Sequence, residues 1–176
     1  MKRVIITMIV TALFGTGILF AGGIKIGYVN SDKIFQEYEE VQNAQKAFNE
    51  EQTQWQQEYQ QKKSEIENLQ NEYDNLPSIV TEQRREEKLA LIEKKKRELQ
   101  QYAEQIFGEG GTAAQREAEL LQPIIDKINQ VIKEIAIEEN YTIIFDTVSG
   151  NIVYGKPNLD ITDKVMKRLK EEKPEE

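Results

Sequence analysis

Stepping alternately by four and three residues from Ile34 lands on Tyr38, Val41, Gln45, Phe48, Gln52, Trp55, Tyr59, Lys62, Ile66, Leu69, Tyr73 and Leu76, and ten of these thirteen positions are apolar or aromatic. A sustained 3.5-residue period confines the apolar side chains to one narrow seam on a helix. No Gly or Pro interrupts the run from Asp32 to Asn75, so the spacing predicts one helix of roughly 65 Å at 1.5 Å per residue. A stripe that narrow does not suit a conventional core. It needs partner helices.

The partner is supplied by the same chain. Asp74-Asn75-Leu76-Pro77-Ser78 breaks the helix, because Pro77 has no N–H and drives Leu76 out of helical geometry. From about Thr81 a second helix begins, with Leu89, Ile92, Lys96, Leu99, Ala103 and Ile106 at the same spacing. Two narrow-seamed helices joined by a short connection fold back as an antiparallel hairpin. Charge agrees: Gln36 to Asn75 holds ten acids and three bases, whereas Arg84 to Arg97 holds seven bases and three acids. Each exposed ion pair contributes only about 0–1 kcal/mol. The basic run Lys94 to Arg97 is therefore read as a solvated helix face, with a lipid- or lipopolysaccharide-binding patch as the alternative.

Gly108-Glu109-Gly110-Gly111 interrupts the return limb. Each Gly costs about 1 kcal/mol relative to Ala in a helix, so Gly108, Gly110 and Gly111 predict a hinge, kink or local unwinding. No strand precedes the cluster and no Gly-Lys-Ser/Thr follows it, which argues against a phosphate loop.

Beyond this point the stripe widens. Leu120, Leu121, Ile124, Ile125, Ile128, Val131, Ile132 and Ile135 describe a helix packed on a true core, which Pro123 starts or kinks. Near the N-terminus Ile24, Ile26 and Tyr28 alternate with Lys25 and Gly27, a strand period, and Ser31 or Asp32 can cap the following helix. Thr142–Asp146 and Asn151–Tyr154 read as two further strands in a hairpin around Ser149-Gly150. Asp160 or Thr162 can cap a last short helix through about Lys170. Three short strands leave exposed edges, which association between bodies would cover.

Of the 176 residues 39% are hydrophobic and 31% charged, with a formal net charge of -8. Non-specific nucleic-acid binding needs cationic neutralisation of phosphates, so no nucleic-acid partner is expected. Cysteine and histidine are absent, which removes disulfides, thiolate or imidazole metal sites and the commonest catalytic bases and nucleophiles. No catalytic constellation, metal or cofactor is expected.

Met1-Lys2-Arg3, the apolar run Val4–Phe20 and small Ala21 and Gly23 have the form of a secretory signal peptide cleaved after Gly23. Cleavage removes Lys2 and Arg3 and takes the charge from -8 to -10. Retention of Val4–Phe20 as a membrane anchor would instead make the chain a signal-anchored coiled-coil tether or scaffold of the envelope. There is no lipobox cysteine.

These pieces define a mostly α, α+β chain with a long antiparallel coiled-coil hairpin arm. Residues 1–23 are the signal peptide; 24–35 and 112–172 form the β-containing oligomerisation body; 36–111 form the arm, with its tip near 74–81; 173–176 are a frayed tail. The seam is assigned to Tyr38, Val41, Phe48, Trp55, Tyr59, Ile66, Leu69, Tyr73, Leu89, Ile92, Leu99 and Ile106. Candidate surfaces for holding other polypeptides lie off it, at Leu76, Ile79 and Val80 on the tip and at Leu91 and Tyr102 on the return limb.

Gly27-Tyr28-Val29-Asn30 behind a cleavable signal, Leu120-Leu121-Gln122-Pro123-Ile124, Tyr141-Thr142-Ile143-Ile144-Phe145-Asp146 and Leu159-Asp160-Ile161-Thr162-Asp163, in that order, resemble the Skp/OmpH-like periplasmic chaperones over the whole mature chain. The resemblance implies a homotrimer whose bodies form a small β-barrel with three hairpins around a cavity. It also implies ATP-independent holding of unfolded outer-membrane β-barrel proteins in the periplasm. The best-known members are basic and this chain is acidic, which argues against membrane or lipopolysaccharide contact.

Overall fold

A computed structural model describes residues 23–148, 150 and 152–172. Residues 1–22 of the signal segment, Ser149 of the expected turn, Asn151 after it and the tail at 173–176 lie outside the described residues. The elements are β1 (Ile26–Val29), α1 (Ser31–Glu37), α2 (Glu39–Asp74), α3 (Glu82–Phe107), α4 (Thr112–Glu138), β2 (Ile143–Asp146), a 3-10 turn at Pro157–Leu159 and α5 (Thr162–Glu171).

The first limb is not one continuous helix. Tyr38 adopts an extended backbone (φ -80°, ψ 118°) between α1 and α2. No Gly or Pro announces this break; burial accounts for it. Turning the chain there drives the Tyr38 ring into the core, where it is 3% exposed. The Gln42 side-chain amide donates to the Gln36 carbonyl at 2.8 Å, satisfying one of the acceptors that the end of α1 leaves free. The cap of α1 also differs from expectation. Asn30, not Ser31 or Asp32, accepts from the Lys33 N–H at 2.9 Å. Ser31 is instead held by Asp146.

α2 has 36 residues and runs about 54 Å. Its first turns lie along α4 and the rest pairs with α3, so one helix spans both body and arm. α3 ends at Phe107 and α4 begins at Thr112, which places the glycine cluster between two helices. Gly110 sits at φ +66°, where a side chain would be strained. A Cβ on Gly108 would stand 2.3 Å from the Glu104 carbonyl oxygen. Pro123 does not start its helix; α4 continues through it from Thr112.

The core lies at the base of the arm. Val29, Ile34, Tyr38, Val41 and Ala44 meet Ile124, Ile128, Val131 and Ile135 of α4 and Ile161, Val165, Met166 and Leu169 of α5. β1 and β2, separated by the whole arm in sequence, pair in parallel with Ile26 opposite Ile143 and Tyr28 opposite Phe145. The expected antiparallel hairpin is absent among the described residues: the sheet has two strands, and Ile152–Tyr154 is not in it. The other edge of β1 is occupied where Tyr28 bridges Asp160 and its carbonyl accepts from the Ile161 N–H at 2.9 Å. At α5, Thr162 is the first helical residue rather than its cap, and the Asp160 carboxylate accepts from the Thr162 N–H at 2.9 Å.

Candidate functional site

The arm is held by packing with charge at its margins. Ile92 is 1% exposed and Ile106 is buried, facing half-buried Tyr59, Ile66, Leu69 and Tyr73 of α2. Phe48 meets Trp55 edge-on at 6.3 Å, and Tyr59 meets Phe107 edge-on at 6.4 Å. Two positions differ from the sequence expectation. Leu89 is 40% exposed, because α3 turns Lys88 and Lys95 toward α2, where their ammonium groups reach Glu72 at 2.6 Å and Glu65 at 2.7 Å. Long basic side chains can cover a seam with their stems while keeping their charge in water, so counting apolar residues alone misplaces the phase.

Tyr102 is the second. It lies against α2, its hydroxyl donating to Glu58 at 3.0 Å and directed at the Trp55 carbonyl at 3.4 Å. Burial, then the neighbouring Glu58 carboxylate, push its phenol up to about 12. At the arm's end Ile79 is 92% exposed, with Leu76 and Val80 half-buried beside it. Arg85 closes the tip by donating to the Pro77 carbonyl at 3.1 Å. Leu91 is exposed on the outer side of α3. The five residues expected to touch other polypeptides therefore do not form one patch: three share the tip, Leu91 stands alone, and Tyr102 is engaged within the hairpin.

The body presents a different surface. Gly27 and Val29 point inward, and the opposite face of the sheet turns Ile26, Ile143 and Phe145 to solvent. Val153 and Tyr154 stand beside them, fully and largely exposed. An apolar groove of about 480 Å³ runs between Tyr28, Phe145, Ile152, Tyr154, Gly155 and Leu159. The alternation of Ile24, Ile26 and Tyr28 signals this strand in the sequence, but not which face stays uncovered.

Asp146, the last residue of β2, ties the sheet to the start of α1. Its carboxylate accepts from the Ser31 hydroxyl at 2.6 Å, the Ser31 N–H at 3.2 Å and the Val148 N–H at 3.2 Å. Burial works against its charge, yet these hydrogen bonds and one from Thr147 outweigh burial and hold the carboxyl below its ordinary value. Among the described residues no cluster of acids is arranged to hold a metal ion, and no helix is long and apolar enough to cross a membrane.

A small body sending out a single coiled-coil hairpin from between its two parallel strands defines a tentacled α+β protein. The chain belongs to the OmpH family, outer membrane protein (OmpH-like), whose model matches residues 25–169. It is 30% identical over 150 residues to a protein named chaperone protein Skp from Vibrio cholerae serotype O1, covering 83% of each chain. The fold matches the crystal structure of an OmpH-like protein from Caulobacter crescentus CB15 with a TM-score of 0.72, covering 83% of each chain at 15% identity.

Proposed function

We propose that this protein is an exported, ATP-independent holding chaperone of the periplasm. It acts as a homotrimer and keeps unfolded outer-membrane β-barrel proteins from aggregating between its arms. Family membership and the chaperone relative support the role. The observation that carries the mechanism is the uncovered apolar face formed by Ile26, Ile143, Phe145, Val153 and Tyr154. Apolar patches of this kind mark association surfaces, and a two-stranded sheet is marginal unless something packs on it.

In this reading the bodies join through that face, and the break in the return limb at Gly108, Gly110 and Gly111, beside the unbroken α2, lets each arm flex and adapt the cavity to its load. The tip residues Leu76, Ile79 and Val80, with Leu91, offer weak apolar contacts. Burial of client apolar surface offsets the entropy lost on capture, with no nucleotide needed. The signal segment is removed after Gly23, and the mature chain begins at Ile24. The test is expression of the full chain with its signal, followed by determination of the N-terminal mass and aggregation assays on a urea-diluted outer-membrane β-barrel protein. A chain starting at Ile24 that slows aggregation without nucleotide is expected. An unprocessed, membrane-retained chain that leaves aggregation unchanged would favour the envelope tether.

A further inference from the structure

α4 ends in a turn that its own backbone closes. The Tyr141 N–H donates to the Ala136 carbonyl at 2.8 Å and the Asn140 N–H to the Ile137 carbonyl at 3.3 Å, the paired bonds of a Schellman motif. Asn140 takes the left-handed position of that motif at φ +56°, the one non-glycine residue with positive φ among the described residues. Gly or Asn suits this place. Asn140 is exposed, and among the described residues its side-chain amide has no hydrogen-bond partner.

The sequence adds something that the turn does not require. Asn140-Tyr141-Thr142 is the Asn-X-Ser/Thr acceptor pattern for N-linked sugars, and of the ten asparagines in the chain only Asn140 stands in it. Thr142 is exposed as well. Its oxygen accepts the Lys25 N–H at 3.2 Å, which leaves the hydroxyl proton and a lone pair for another partner. Glu138, two residues before the Asn, supplies the carboxylate that bacterial transferases of this class read together with the pattern. It is exposed, in a surface pair with Arg168 at 2.7 and 3.1 Å, which a competing partner can open.

We propose that Asn140 is an N-glycosylation site of the folded body, with a lipid-pyrophosphate-linked oligosaccharide as the donor. The Asn140 side-chain nitrogen forms a bond to the anomeric carbon of the first sugar, and the bond from that carbon to the phosphate oxygen breaks. The bonding electrons leave with the lipid pyrophosphate, and the amide gives up one proton to a base of the transferase. Nothing is oxidised or reduced. The inference rests on the export proposed above, because the donor lipid is used on the outer side of the cytoplasmic membrane. Its place in the fold is compatible with the holding function. α4 has 27 residues and runs about 40 Å from the glycine break to this turn, so the glycan stands at the end of the body remote from the arm.

The test adds a purified bacterial oligosaccharyltransferase and its lipid-linked oligosaccharide to the folded full chain, with a peptide spanning Ile137–Ile143 and a reference acceptor peptide in parallel. Intact mass and peptide mapping read the product. One glycan on Asn140 of the folded chain is expected. It should persist in Thr142→Ser and vanish in Asn140→Gly, a change that suits the left-handed turn and should leave the circular dichroism spectrum unaltered. A modified Ile137–Ile143 peptide beside an unmodified folded chain would overturn the proposal, because the fold would then hide the site. So would a folded chain and peptide both left unmodified beside a modified reference, or a glycan that survives Asn140→Gly. Expression in cells that carry the transferase separates this reading from export. A chain that keeps its signal and gains no glycan in those cells, yet is modified by the purified transferase, would sink the export reading and leave the acceptor site standing.

Discussion

Gly155 lies flat against the ring of Tyr28: a Cβ on Gly155 would come 2.4 Å from Tyr28 Cε1 and 3.0 Å from Cδ1 and Cζ. The loop after β2 is thereby pressed onto β1, and Tyr28 is held as part of the apolar sheet face. Gly155→Ala forces the ring aside, and overpacking of this kind costs about 1–3 kcal/mol. We expect a lowered thermal midpoint together with weakened self-association, read by calorimetry and by light scattering across a dilution series.

Acidification should loosen the body through Asp146. Its carboxyl is held below its ordinary value of 3.8 by Ser31, Val148 and Thr147, against the opposing effect of burial. A depressed folded value means that the stabilisation is complete above 3.8 and fades as pH falls through the lower folded value. Asp146→Ala should cost about 1–3 kcal/mol at neutral pH. Urea unfolding of parent and variant should converge in strong acid, where the parent's carboxylate is protonated.

Tyr102 should titrate late. Burial and Glu58 raise its phenol from 10.0 to about 12, so its contribution to arm stability is present below 10.0 and is lost as pH climbs toward the folded value. An absorbance titration of phenolate should show one late component that Tyr102→Phe removes. The same substitution should cost about 0.5–1.5 kcal/mol through the lost bond to Glu58.

Packing and charge in the arm make unequal contributions. Ile92→Ala removes the most buried side chain of α3 and should cost about 2–5 kcal/mol. Lys88→Ala or Lys95→Ala breaks an exposed pair with Glu72 or Glu65 and should cost no more than about 1 kcal/mol. Added salt should shrink the lysine effects and leave that of Ile92 in place. Chemical denaturation of the three variants at low and high salt checks both statements.

The arm was legible because its determinants are local. The 4-3 spacing from Val41 to Tyr73, Pro77 at the turn and the glycines after Phe107 act through the backbone of a few neighbouring residues. The body depends on contacts between distant parts of the chain, and there the sequence was less informative. Tyr38 ends α1 because a core built from α4 and α5 takes its ring, which no nearby residue signals. Ile152–Tyr154 has the composition of a strand, yet it stays out of the sheet and instead lies by Tyr28, against whose ring Gly155 packs. The phase of α3 was obscured by Lys88 and Lys95, whose stems lie along the seam although their charges mark them as surface residues.

In the proposed assembly, apolar body faces associate to set arms around an unfolded client. Light scattering with mass determination, on the processed protein alone and with a urea-diluted outer-membrane β-barrel protein, tests it most directly. A stable trimer that takes up a client into a discrete soluble complex is expected. Phe145→Glu, which places a charge in the apolar face, should yield folded monomers that no longer retain the client. A parent protein that is monomeric, or that forms open-ended polymers and ignores the client, would contradict it.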